Sequence, residues 1–137
     1  MRRILLAPVL ILSAVLALPA SQSPSRPTES AAPAEAIRLN NRGVASMNQQ
    51  KFEQGLEWFE KATAADPQLV VARVNQAIAL INLQRYEPAR ALLMEVTTAD
   101  PQNPRAWYNL GLLQKSTGEA EASLTSFQKA ASVRPTK

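Results

Sequence analysis

The chain has 137 residues, 46% of them apolar, with 15 basic and 11 acidic side chains and a net charge of +4. That length and apolar share allow one modest helical domain and something more, but not two large cores. The absence of cysteine and histidine excludes disulfides, thiolate metal sites, cysteine nucleophiles and lipid attachment to cysteine, and removes the commonest general base and metal ligand.

Met1-Arg2-Arg3 gives a positive start, Ile4 to Leu18 is an uncharged run interrupted only by Pro8 and Ser13, and Leu18-Pro19-Ala20 leads into a polar stretch. This is the pattern of a secretory signal peptide, assigned to residues 1–20. Cleavage is placed after Ala20; cuts after Ala17 or Ser23 stay open, because Leu18 is large for its place near that bond. The run is short for a spanning helix, which needs about 20 residues, and an uncleaved anchor is the alternative. The residues around Arg2 and Arg3 fit a twin-arginine signal poorly. Removing the signal leaves 13 basic against 11 acidic side chains, a net of +2. No Lys/Arg cluster denser than two in five residues follows, so nucleic acid is not an expected partner.

Residues 21–35, beginning SQSPSRPTES, are rich in Ser, Pro and Ala and lack large apolar groups. Such a segment cannot bury enough surface to offset its ordering entropy, and it reads as a flexible tether. A proline-rich ligand for another domain is the sharper alternative.

The remainder is periodic. Pro67, Pro101 and Pro135 stand 34 residues apart, the first two preceded by Asp66 and Asp100. A period of this size marks stacked units that cannot hide their apolar faces alone. Aligned on these prolines, the units are 36–69, 70–103 and 104–137, each with two helical patterns. Helices are predicted over 36–49, 53–65, 70–83, 87–99, 104–117 and 119–132, with Pro88 in the first turn of the fourth, where a missing N–H costs little. Small residues recur at Gly43, Ala77 and Gly111 and again at Gly55, Ala89 and Ser123. These are the places where two helices of one hairpin would touch. Gly111 would cost about 1 kcal/mol inside a helix, and a close approach by Ser123 and Phe127 explains it.

The third unit, with Trp107, Leu110, Gly111, then Ser123, Phe127, Ala130 and Pro135, resembles the tetratricopeptide repeat, W-x2-L-G-x2-Y, then A-x3-F, then a closing P, at a 34-residue period. Units one and two match through their small residues, Phe59 or Leu93, and the closing proline. Arg42 and Gln76 replace the expected leucine, and Ser46 and Gln114 the expected large aromatic. The resemblance implies an all-α fold of three stacked helix-turn-helix repeats, a right-handed superhelical solenoid over 36–137. Three units are about the minimum for such a stack. A buried Trp107 would matter, since truncating a buried Trp typically costs about 3 to 5 kcal/mol. Repeat arrays usually end in a polar cap. Either Ser123, Thr125, Ser126 and Lys129 make the sixth helix its own cap, or another surface covers it.

The resemblance also implies that the first helix of each unit lines a concave groove. Its register places there Ile37, Asn40, Asn41, Val44, Met47 and Asn48; then Val71, Val74, Asn75, Ile78, Ile81 and Asn82; then Arg105, Tyr108, Asn109, Leu112, Lys115 and Ser116. Asn41, Asn75 and Asn109 share one place, and an amide can donate to and accept from a peptide backbone at once. Local bonding between helices is the alternative use of these amides. Met47, Ile78, Ile81 and Leu112 form either an exposed stripe or a packed seam. Trp58, beside Phe59, covers the outer edge or meets another molecule. The carboxylate clamp known in the family is not expected: only Asn75 fits directly, Arg105 stands for a lysine, Asn40 and Val44 replace a lysine and an asparagine, and Asn109 replaces a basic residue.

Glu57 with Glu60, and Glu119 with Glu121, read as solvated helix faces, and Asp66 and Asp100 as turn residues. No phosphate-binding glycine loop or nucleophile-base pair occurs. The sequence therefore predicts an exported, periplasmic or secreted scaffold without catalytic activity, cofactor or metal, binding a protein or peptide in its groove. The alternative is a structural subunit that joins copies of itself, or a larger envelope complex, through its repeat ends. Contact with membrane is expected only through an uncleaved signal.

Overall fold

The computed structural model describes residues 31–133, which form six helices and no strand. These are α1 Ala31–Asn48, α2 Phe52–Ala65, α3 Val70–Asn82, α4 Tyr86–Ala99, α5 Pro104–Ser116 and α6 Ala120–Ser132. Five lie within one residue of the predicted bounds; α1 begins five residues early. The last five residues of the predicted tether are therefore helical. Ala31, Ala32 and Ala34 are strong helix formers, and Pro33 stands in the first turn, where no intrahelical N–H bond is lost. The signal segment, the rest of the tether and Pro135 lie outside the described residues. Among the described residues no helix is long and apolar enough to cross a membrane.

Consecutive helices pair as three hairpins, and the small residues decide how closely. A β-carbon on Gly43 would stand 2.6 Å from Cδ1 of Phe59, and one on Gly111 2.7 Å from Cε1 of Phe127. Both are closer than carbon atoms can pack, so each glycine makes room for a ring. Unit two holds the smaller Leu93 in the phenylalanine's place and Ala77 in the glycine's, both fully buried. On the opposite side of the hairpin, Gly55 makes room for Met47, whose sulfur would be 2.8 Å from an added β-carbon. The Ser123 hydroxyl donates to the Gly111 carbonyl at 3.0 Å.

Departures from the repeat pattern are matched by local partners. The Arg42 guanidinium lies 4.7 Å above the Trp58 ring, and Lys61 Nζ lies 4.6 Å from the same ring. Gln76 accepts from the Thr63 hydroxyl at 3.3 Å. Ser46 donates to Gln54 at 3.1 Å and Ser126 to Gln114 at 2.7 Å, across two different hairpins. Among the described residues no buried side-chain polar atom lacks a partner.

Trp107 is half-buried rather than enclosed. Its indole N–H donates to the Pro101 carbonyl at 2.9 Å, and Lys129 Nζ sits 4.2 Å over its ring. The fully buried large side chains are Phe59, Leu93, Leu113, Val74 and Val96. Most of the core is thus shared by units one and two and the first helix of unit three.

The turns follow the period too. Within each hairpin one residue takes a left-handed conformation: Gln50 at φ 59°, Gln84 at φ 58° and Gly118 at φ 84°. Between hairpins, Asp66 accepts from the Gln68 N–H at 2.9 Å, and Asn103 caps α5 by accepting from the Ala106 N–H at 3.0 Å, with Pro104 following it.

The curvature of the array comes from unequal spacing. The backbone of α1 comes close to that of α3, and α3 to α5, whereas the backbones of α2 and α4, and of α4 and α6, stand apart. First helices form a close inner wall and second helices a splayed outer one.

Candidate binding face

Each first helix presents a stripe at i, i+4, i+7 and i+11 away from its hairpin partner, and the stripes repeat every 34 residues. In α1 the stripe is Ile37, Asn41, Val44 and Asn48, all exposed. In α3 it is Val71, Asn75, Ile78 and Asn82; in α5 it is Arg105, Asn109, Leu112 and Ser116. Of the seven exposed large hydrophobic side chains among the described residues, five lie on first helices: Ile37, Val44, Val71, Tyr108 and Leu112. Val44 and Leu112 are 38% and 36% exposed, and Ile78 between them is half-buried. An apolar row thus crosses all three units.

The inner wall also differs from the outer in charge. α3 and α5 contain no acidic residue, and the one in α1, Glu35, pairs with Arg38 at 3.0 Å. Arg105 makes no ion pair among the described residues. Its guanidinium instead donates to the Asn75 amide oxygen at 2.9 Å, while the Asn75 amide N–H donates to Asn40 at 2.8 Å. These three side chains link the three units along the inner wall.

That network favours, for two of the three equivalent asparagines, the local bonding that the sequence left as an alternative. Asn75 and Asn109 are buried, at 5% and 8% exposure, and Asn109 donates to the Arg105 carbonyl at 2.8 Å. Asn75 is occupied by Asn40 of the preceding unit, and Asn109 by a carbonyl of its own helix. Asn41 is exposed because no earlier helix among the described residues lies against it. The three equivalent amides therefore do not form an open ladder. Asn40 faces the following unit, and Val74 is buried in the seam with Val96 and Ala106. Met47 and Ile81 pack against the main core. Left open are Asn41, Val44, Asn48, Asn82, Arg105, Tyr108 and Leu112, with Ile37, Val71, Lys115 and Ser116. The Asn82 amide reaches back to the Ile78 carbonyl at 2.8 Å.

A second apolar surface lies at the end of the stack, where the sequence left open a self-capping sixth helix or one covered by another surface. Pro104, Arg105, Tyr108, Phe127, Ala130 and Ala131 line an open groove of about 720 Å³, with the Tyr108 and Phe127 ring centroids 5.6 Å apart. The 34-residue register was the signal that could have located it, since the equivalent faces of units one and two are interior.

Among the described residues no three metal-type side chains gather into a potential cation site. At Glu119, hydrogen bonds from Arg90 and then from the Thr117 hydroxyl hold the carboxyl below the usual carboxylate range. Arg90 grips it with both terminal nitrogens, one at 3.1 Å from Oε2, and so ties α4 to the turn between α5 and α6.

Sequence models described as tetratricopeptide repeat match residues 46–115, half of the chain, and residues 104–137. The chain belongs to the tetratricopeptide repeat family. No curated protein sequence matches it, but solved tetratricopeptide repeat structures do. The second such domain of Spaghetti (RPAP3), bound to an HSP90 peptide, superposes with a TM-score of 0.70 at 21% identity, over 77% of this chain and 99% of that one. YrrB, described as having an unusual peptide-binding site, superposes at 0.68 with 21% identity, over 74% and 52%. MamA from Desulfovibrio magneticus RS-1 does so at 0.64 with 26% identity, over 73% and 56%. These likenesses establish the helical repeat fold, and tetratricopeptide repeat neighbours solved with peptides connect that fold to protein interaction.

Proposed function

We propose that this protein is an exported interaction scaffold that holds an extended protein segment along its inner wall. The observation that carries the reading is the row Val44, Ile78 and Leu112, with Ile37 and Val71 beside it, on a wall whose α3 and α5 lack acidic side chains. Contiguous exposed apolar surface of this kind marks interaction sites in soluble proteins. Side chains of the bound segment would lie along the row, while Asn41, Asn48 and Ser116 at its edges offer polar groups to its backbone. Arg105 supplies a fixed cation at one end. The peptide-bound Spaghetti domain and the peptide-binding site ascribed to YrrB are consistent with such use of the fold. Export rests on the signal-like residues 1–20, with the periplasm or the exterior as destination.

The test places a photo-crosslinking side chain at Ile78 in the producing cells and identifies adducts by mass spectrometry. A specific heterologous protein is expected, and Val44→Asp or Leu112→Asp should reduce its capture at least tenfold without unfolding the domain. Adducts only to the chain itself, or none, would overturn the reading. A structural subunit assembling through its ends is the second reading, favoured by the apolar end groove on α5 and α6.

A further inference from the structure

Three equivalent faces, one per unit, have different fates in this array. On unit one the face comprises Ala36, Asn40, Phe59, Ala62 and Thr63, and α3 lies on it. Ala72 is fully buried there, Asn75 bonds Asn40 and Gln76 bonds Thr63. On unit two the same places hold Val70, Val74, Leu93, Val96 and Thr97, and α5 lies on it, with Ala106 packed against Val74 and Val96. On unit three they hold Pro104, Tyr108, Phe127, Ala130 and Ala131, which line the open end groove.

We infer that this end groove is a docking site for a single amphipathic helix of a partner protein, seated as α3 and α5 are seated on the units before it. The inference rests on the reading of the chain as a protein-binding scaffold, but it uses the end of the stack, which shares only Arg105 and Tyr108 with the inner wall. Internal repetition defines the occupant. α3 and α5 each set an alanine into the seam, Ala72 or Ala106, followed three residues later by an asparagine. Unit three shares Phe127 and Ala130 with Phe59 and Ala62 of unit one, where unit two has Leu93 and Val96. Its groove therefore fits a helix like α3, with a small residue opposite Ala130.

A second copy fits poorly. In α1 the place of Ala72 and Ala106 is taken by Arg38, whose side chain is 71% exposed and paired with Glu35. Seating α1 on the groove would drive that guanidinium into an apolar seam, and an uncompensated buried charge is strongly destabilising.

The probe is a fluorescein-labelled, hydrocarbon-stapled peptide with the sequence Val70–Asn82, titrated against the full chain and followed by anisotropy. Saturable binding is expected. Ala130→Lys should weaken it at least tenfold, as should Ala131→Lys, whose site is exposed and leaves folding intact. Ala72→Arg in the peptide, copying Arg38, should abolish it, and Val44→Asp on the inner wall of the protein should leave it unchanged. No saturable binding, or binding indifferent to Ala131→Lys, overturns the inference. Binding lost with Val44→Asp but not with Ala131→Lys would move the peptide to the inner wall, overturning the end site while preserving the scaffold reading. Sedimentation showing a dimer that Ala131→Lys disperses would give the groove to a second copy and also overturn the inference.

Discussion

Units two and three are built to one pattern but live in different surroundings. Val74 and Val96 of unit two are each 1% exposed, whereas their equivalents in unit three are Tyr108, 52% exposed, and the half-buried Ala130. Leu93 is fully buried and Phe127 is not. The buried residues of α4 are Ala89, Leu93, Val96 and Thr97; those of α6 are two serines, Ser123 and Ser126. A repeat register thus fixes which way a side chain points, while the neighbouring unit decides whether it is covered. Because stability in such arrays is a sum over units and interfaces, unit three should be the first to open.

Breaking the central seam gives the largest effect. Phe59→Ala removes a ring that is 1% exposed and should lower stability by about 3–5 kcal/mol. Phe127→Ala, at the open end, should cost about 1–2 kcal/mol. Denaturant unfolding of both variants measures the difference; equal losses would mean that the end face is as well covered as the interior.

The hairpin contact can be broken and restored. Gly43→Ala pushes a methyl group into the Phe59 ring, and overpacking of this kind outweighs the gain in helix propensity, for a net loss of about 1–2 kcal/mol. Adding Phe59→Leu recreates the Ala77–Leu93 pair of unit two. The double variant should recover part of the loss, a coupling that a double-mutant cycle reads directly.

Turn residues come next. Gln84 adopts a left-handed backbone that Gly118 adopts in unit three. Gly118→Ala should cost about 1 kcal/mol, and Gln84→Gly should leave thermal stability unchanged or raise it by up to about 1 kcal/mol.

The smallest effect is electrostatic. The Glu119 carboxyl is held below its ordinary range by Arg90 and Thr117, so its folded pKa is lower than its unfolded one. The stabilisation it gives is present above the unfolded pKa and disappears as pH falls through the folded pKa. Because the group is exposed, only a small shift is expected. Glu119→Gln should melt slightly below the parent at pH 7 and coincide with it in acid.

Much of this architecture was legible because the prolines at 67, 101 and 135 set a register, and Gly43, Gly111, Phe59 and Phe127 then named each other as contacts. The fate of the asparagines was not. Asn41, Asn75 and Asn109 are one letter at one register position, yet only the first is open, since coverage depends on a neighbouring helix rather than on the residue. The start of α1 was missed because Pro33 reads as a breaker in a polar segment, although the first turn of a helix tolerates it. The left-handed turn positions carried a signal in Gly118, in register with Gln50 and Gln84.

The close inner wall and the splayed outer one also have a mechanical meaning. Side-chain bonds from Asn40 through Asn75 to Arg105 lash the inner helices together, while the backbones of α2 and α4 stand apart. The array is therefore stiff along its spine and compliant across its back, like a fan hinged on one edge. On the proposed reading, opening the outer gap between units one and two would flatten the inner wall without breaking that hinge, and so let it fit bound chains of different girth.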